Sequence, residues 1–241
     1  MLKKDYSFKF KVSQCECDMQ NRMSPGAILR RVQQISTDHC TDSGLNAEVY
    51  RATHTVFLLA KTELKLLKPI PSDTIVTVST QAYAPVRASF LRKVTLADEA
   101  GTILAQTQSA WVLVDTETKR IVRHAPPEIS KYFEGAAQEP SLFGIQKCES
   151  ITDIGNVKAL YTMCDVNGHI NNAVYADIIC NSLDAEFMTN ANINRLVISY
   201  HNEAAIGTGF TVYKGVLDEN SIYLLGKAQN INYFEANIYF T

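Results

Sequence analysis

Cys164-Asp165-Val166-Asn167-Gly168-His169-Ile170-Asn171-Asn172-Ala173-Val174-Tyr175 sets a carboxylate, a carboxamide and an imidazole at alternate positions, then two more Asn and an apolar helical run. Such a trio can take up a proton, hold it and stabilise a developing negative charge. In an extended segment, positions i, i+2 and i+4 point to one side. Asp165, Asn167 and His169 are therefore expected to converge on one reacting group. Helix capping alone needs only Asn171 and leaves the upstream residues unexplained.

The elements that must carry this segment occur twice. Cys17-Asp18 opens one copy and Cys164-Asp165 the other, an offset of 147 that sets Ser24 beside Asn171 and Pro25 beside Asn172. Ser and Asn are good N-caps, and Pro is favoured at the first helical position. The helices that follow, Ala27 to Ile35 and Val174 to Leu183, place apolar residues at three- and four-residue steps, which makes one buried stripe each. Behind the first helix come β-rich runs at Val56–Leu59, Glu63–Leu67, Thr74–Thr80, Ser89–Leu96 and Ile103–Val114. Behind the second come Arg195–Tyr200, Gly209–Leu217, Ser221–Ala228 and Asn232–Phe240, with Asp218-Glu219-Asn220 as a hairpin turn. A long helix laid on a mostly antiparallel sheet, twice over, is an α+β arrangement. The expected units are residues 1–123 and 151–241, joined by a Pro-bearing linker, 124–150, with room for a short helix.

Chemistry divides the copies. Asp18, Gln20 and Arg22 stand where the second copy has Asp165, Asn167 and His169. Arg holds its proton near neutral pH, whereas His titrates close to it. Only the second copy is equipped for acid–base work, and the first is expected to serve packing and substrate binding.

The totals exclude several classes. The 241 residues are 46% hydrophobic and 20% charged, the balance of a chain with an ample core. No run approaches a membrane span, and no apolar stretch follows the charged Met1 to Tyr6, so a cytoplasmic protein without a secretory signal is expected. Six cysteines form no C-x-x-C pair; Gln14 to Cys17 reads as strand-like, and free thiols, no metal and no cofactor are expected. Residues 1–123 carry 17 Lys+Arg against 12 Asp+Glu, whereas 124–241 carry 6 against 13. A basic first half suits an acidic partner, with candidates Arg30, Arg31, Lys61, Lys65, Lys68, Arg87, Arg92 and Lys93. Nothing points to nucleic acid.

The segment opened above resembles the active-site motif of acyl-ACP thioesterases, Asp-x-Asn-x-His-x-Asn-Asn-x-x-Tyr ahead of the helix of a hot-dog domain, with every specified position filled. Gly101 to Thr118, with Ala105, Ser109, Trp111, Val112 and Asp115, is similar to another stretch of that family, as are Arg120 to Arg123 and Pro127 to Ile129. The resemblance runs from about Tyr6 to the end. It implies two tandem hot-dog domains and hydrolysis of fatty acyl-ACP to free acid and holo-ACP, with acyl carrier protein as partner; a homodimer is compatible with it. It also implies a further carboxylate in a strand resembling Glu-Tyr-x-x-Glu-Cys, here Ser199-Tyr200-His201-Asn202-Glu203-Ala204. Tyr200 and Glu203 match. Ala204 stands where plant relatives have Cys, so a thiolate nucleophile is excluded at that position and activated water is expected.

The expected catalytic set is Asp165, Asn167, His169 and Glu203. Asn172, Ala173, Tyr175 and Trp111 are the expected substrate contacts, the backbone N–H groups at 172 and 173 polarising the thioester carbonyl. The acyl tail is expected in the first half, between Ile28–Ile35 and the sheet near Phe90 and Trp111. His201 is expected to be an exposed strand residue. Two alternatives remain: an acyl-CoA thioesterase, and a non-catalytic acyl-thioester-binding module, which would have lost part of the Asp-Asn-His-Glu set.

Overall fold

The computed structural model describes residues 2–3, 6–134, 136 and 143–241. Residues 135 and 137–142 of the expected linker, and the N-terminal Met1, Lys4 and Asp5, lie outside these.

In chain order the elements are strand β1 (Tyr6–Lys11), helix α1 (Pro25–Asp42), helix α2 (Ala47–Ala52), and strands β2 (Thr55–Leu66), β3 (Ile75–Ala82), β4 (Ser89–Ala97) and β5 (Ile103–Asp115). Then follow α3 (Pro127–Ser130), β6 (Thr152–Lys158), α4 (Val174–Asn181), α5 (Ala185–Asn190), β7 (Ile193–Tyr200), β8 (Gly209–Asp218), β9 (Ser221–Ala228) and β10 (Ile231–Phe240). The ten strands form one antiparallel sheet in the order β1-β3-β4-β5-β2-β7-β10-β9-β8-β6. Read outward from its centre, each half has the same plan. The join is β2 against β7, with Lys61 opposite Ser199 and Lys65 opposite Arg195.

Local detail repeats as faithfully. A 3-10 turn at Gln14–Glu16 matches one at Tyr161–Met163, and the short bridges Cys17 to Met23 and Cys164 to Ile170 keep the offset of 147. The strand-like expectation for Gln14 to Cys17 is thereby corrected: Ser13 and Glu16 cap each other and curl the segment into a turn. The two helices meet where Arg30 of α1 pairs with Asp177 of α4, positions also 147 apart. Their approach requires Gly26, since a Cβ there would lie 1.8 Å from the Asp177 carboxylate.

Ser24 caps α1 through the Ala27 N–H, and Pro25 occupies its first position. The helix runs nearly two turns beyond the expected Ile35, whereas α4 stops at Asn181, short of Leu183. Ile28, Ile35, Leu64 and Leu96 from the first half share one continuous core with Ile179, Leu196, Leu224 and Phe234 from the second. A smaller aromatic cluster lies beyond the end of α1, where Phe57, Phe90 and Phe133 pack edge to face. Phe133 reaches it from the end of the α3 segment, so residues 127–133 pack onto the first half even though they fall in the expected linker.

Candidate active site

The segment from Asp165 to His169 is a closed turn. The Asp165 N–H donates to the His169 carbonyl at 2.9 Å, and the Gly168 N–H donates to the Asp165 carbonyl at 3.0 Å. The Asp165 carboxylate accepts the Asn167 N–H at 2.8 Å. Gly168 closes the turn at φ +76, where a Cβ is strained. The expected extended run with three side chains on one side is therefore corrected: the Asp165 carboxylate is engaged inside its own turn. The Asn167 side chain is exposed at the rim and has no partner among the described residues.

The first half builds the same turn, with Asp18 N–H to Arg22 carbonyl at 2.7 Å, Asn21 N–H to Asp18 carbonyl at 3.0 Å, and Gln20 N–H to the Asp18 carboxylate at 2.9 Å. There the cation is tied down. Arg22 Nε donates to Asp18 at 3.0 Å and its Nη1 to Asn192 Oδ1 at 2.6 Å.

His169 is free by contrast. Its neighbour Ile170 donates a backbone N–H to Ala204 at 2.9 Å, and Ile206 donates to Gly168 at 3.0 Å. These bonds fasten the turn to the segment after β7 and bring Glu203 to His169. Nδ1 of His169 lies 3.6 Å from the Glu203 carboxylate, beyond direct hydrogen-bond length. The atom is nonetheless buried without a hydrogen-bond partner. A buried polar atom in that condition is costly unless a ligand group or water completes it. Glu203 is 58% exposed and His169 32%, so the pair stands at the surface rather than in the core.

At the head of α4 the Asn171 carboxamide accepts the Ala173 N–H at 2.9 Å, which removes that donor from the expected carbonyl contact. The Asn172 N–H has no partner among the described residues. Tyr200 donates its hydroxyl to the Asn172 carbonyl at 3.1 Å, and Tyr175 is buried against Tyr200 and Phe234. Burial pushes both phenols above their usual range, so they remain neutral donors.

From this point a narrow crevice of about 20 Å³, lined by Leu29, Val32, Ser36, Trp111, Asn172 and Tyr200, leads into the first half. It has space for little more than one water molecule. Ser36 and Trp111 also line a cavity of about 380 Å³ walled by Cys40, Tyr50, Phe57, Phe90 and Phe133. Phe90 and Trp111 lie where a tail was expected, but Ile28 and Ile35 are fully buried in the core. The last turns of α1 face the cavity instead.

Two further placements differ from the sequence reading. Arg92, expected on the docking surface, is buried and lines the cavity. Its position in Phe90-x-Arg92-x-Val94-x-Leu96 was the available signal, since alternation puts it on the core face. His201 follows β7 rather than lying in it, and its Nε2–H donates to the Glu235 carboxylate at 2.8 Å. Ala204 is completely buried, and Cys180 is half-buried, its thiol pushed up to about 12 by burial and then by Asp177 and Asp18. Among the described residues no helix is long and apolar enough to cross a membrane.

Residues 3–133 match the family profile described as the acyl-ACP thioesterase N-terminal domain, and residues 149–237 match its C-terminal counterpart. An oleoyl-acyl carrier protein thioesterase of Arabidopsis thaliana is 22% identical over 217 residues, covering 82% of this chain and 59% of its own length. A palmitoyl-acyl carrier protein thioesterase of Gossypium hirsutum is 22% identical, covering 90% and 56%. The chain thus spans less than two thirds of the curated relatives it matches. An acyl-ACP thioesterase structure from Bacteroides thetaiotaomicron superposes with a TM-score of 0.86 at 18% identity, covering 98% of both chains. The 12:0-ACP thioesterase of Umbellularia californica gives 0.84 at 16% identity, covering 98% of this chain and 94% of its own. The shared architecture is the tandem hot-dog fold.

Proposed function

This chain belongs to the acyl-ACP thioesterase family, and on that premise we propose that it hydrolyses fatty acyl-ACP to the free acid and holo-ACP with an activated water. The observation that carries the proposal is the facing pair His169 and Glu203, held 3.6 Å apart with the His169 Nδ1 buried and unbonded. Asn172 and Tyr200, three residues along the chain from His169 and Glu203, line a crevice that shares Ser36 and Trp111 with an apolar cavity.

Glu203 takes a proton from water as the water oxygen bonds to the thioester carbon. The carbonyl electrons move onto oxygen, where the free Asn172 N–H and the Asn167 carboxamide stabilise the charge. On collapse the C–S bond breaks, His169 gives its proton to the departing thiolate, and the proton that Glu203 took from water passes to His169, which returns both groups to their starting states. Asp165 holds the turn that positions His169. The acyl tail passes Tyr200 and Trp111 into the cavity, so the first half binds substrate while the second half reacts. The carrier protein docks on the basic surface of the first half, in the cytoplasm, through Lys61, Lys68, Arg87 and Lys93. Arg30 and Arg31 are already paired with Asp177 and Glu16. Position 204 supplies no thiolate nucleophile, because it is a buried alanine.

The test is thiol release from a panel of acyl-ACP substrates. Wild-type protein should turn over, and His169→Ala and Glu203→Ala should lose about 10²–10⁴-fold while remaining folded. Wild-type turnover in folded Glu203→Ala protein would remove the activated-water mechanism.

A further inference from the structure

The wall of the acyl cavity contains a cation without a counter-ion. Arg92 occupies a core-facing place on β4, opposite Ala82 of β3 and Ser109 of β5. It is 6% exposed and lines the cavity with Cys40 and Tyr50. Its Nη1 donates to His39 Nδ1 at 2.9 Å and to Thr80 Oγ1 at 2.9 Å, and its Nη2 reaches Cys40 Sγ at 3.2 Å. A guanidinium has five N–H donors, so the Nε hydrogen and one on Nη2 have no acceptor among the described residues. No carboxylate pairs with Arg92 among those residues either.

The neighbours do not supply the missing negative charge. His39 accepts from Arg92 through Nδ1 and contacts the Lys3 carbonyl through Nε2, and burial, then the Arg92 charge, holds the ring neutral. Burial pushes the Cys40 thiol and the Tyr50 phenol up, so both keep their protons. The cavity is otherwise aromatic, with Phe57, Phe90, Trp111 and Phe133. A hydrocarbon tail in this space would cover a buried cation without satisfying it, which is unfavourable. A tail with an acceptor oxygen would complete its hydrogen bonds, and a carboxylate would also neutralise it.

We propose that this cavity selects acyl chains bearing an oxygen substituent, a carboxylate or a hydroxyl, at the end remote from the thioester, with Arg92 as the specificity-determining residue. This rests on the thioesterase reading for the reacting end and adds the substrate class. A carboxylate should rank above a hydroxyl, and both above a methyl, because only the carboxylate brings charge to the guanidinium.

The experiment compares acyl-ACP substrates of matched length ending in methyl, hydroxyl or carboxylate, over a graded series of lengths, with the full-length chain. At the best length the oxygen-terminated substrate should be favoured in kcat/KM by about tenfold to a hundredfold. Arg92→Met should abolish that preference, so that carboxylate-, hydroxyl- and methyl-ended chains of the best length are hydrolysed with kcat/KM values within about twofold of one another. Should Arg92→Met fail to fold, Arg92→Lys and the wild-type series still decide. Lys keeps the charge but not the fork, so the carboxylate preference should shrink without vanishing. Binding of non-hydrolysable pantetheine amides of the same acyl groups, followed by calorimetry, reads the pocket independently of turnover. Methyl-terminated chains bound and hydrolysed as well as oxygenated ones at every length would overturn the proposal. If no thioester of any kind is hydrolysed, the enzymatic reading fails, whereas the amide series still shows whether the cavity prefers oxygen.

Discussion

Ala82 ends β3 and lines the cavity beside Arg92. Ala82→Leu adds three carbons to a space of about 380 Å³. If each displaces one methylene of a long tail, at about 0.8 kcal/mol apiece, the tail loses about 2.4 kcal/mol of favourable burial. At 1.36 kcal/mol per factor of ten this is roughly 60-fold in kcat/KM for the longest substrate accommodated. Substrates too short to pass Trp111 should be unaffected, because Ala82 touches neither the His169 turn nor the segment bearing Glu203. The assay is kcat/KM over acyl-ACP substrates of increasing length, with thermal unfolding to verify that both proteins are folded. Preference should move to shorter chains and the loss should grow with length. An equal fall at all lengths, or an unchanged rate for the longest chain, would show that the tail lies elsewhere.

Other outcomes follow from the same geometry. Arg22→Ala, in the first-half counterpart of the His169 turn, should change turnover far less than Asn167→Ala or His169→Ala, which is read from kcat on folded protein. The Cys164→Ser, Cys180→Ser double variant should retain turnover, and an acyl group trapped on either cysteine of the wild type would contradict the water mechanism. Burial, then Arg92, lowers His39 from 6.5 to about 4. The unfolded chain therefore binds a proton that the folded chain refuses, and this stability, whole above pH 6.5, falls as the pH drops toward 4, by about 3 kcal/mol in full. Urea unfolding across that range should be less pH-dependent in His39→Gln than in wild type, and equal slopes would count against it. KM for acyl-ACP should rise with salt while KM for acyl-pantetheine stays level, since exposed charges such as Lys68 and Arg87 are screened beyond ~8–10 Å.

Most of what depends on residues close in the chain was legible in the sequence, the turns at Gln14–Cys17 and Asp165–His169 excepted. The offset of 147, the Ser24 cap, the two apolar helix stripes, most strand positions and the trio Asp165, Asn167 and His169 all rest on spacing or residue type, whereas Glu203 came with the family resemblance. Contacts between segments far apart in the chain were not legible. Glu203 meets His169 because backbone hydrogen bonds join residues 168–170 to 204–206, and no pattern within either segment specifies that pairing. The Asp165 turn closed on itself because its carboxylate found the Asn167 N–H nearby, which alternation in an extended chain does not anticipate. The halves join through β2 and β7, whose register is set by side chains packed on both faces of the sheet. Arg92 marks the boundary between the two kinds of information: its alternation places it inward on β4, but its nature as a charge suggested the surface. Only the packing of α1 against β3 and β4 decided the matter, by enclosing the guanidinium between His39, Cys40 and Thr80 beside an apolar cavity.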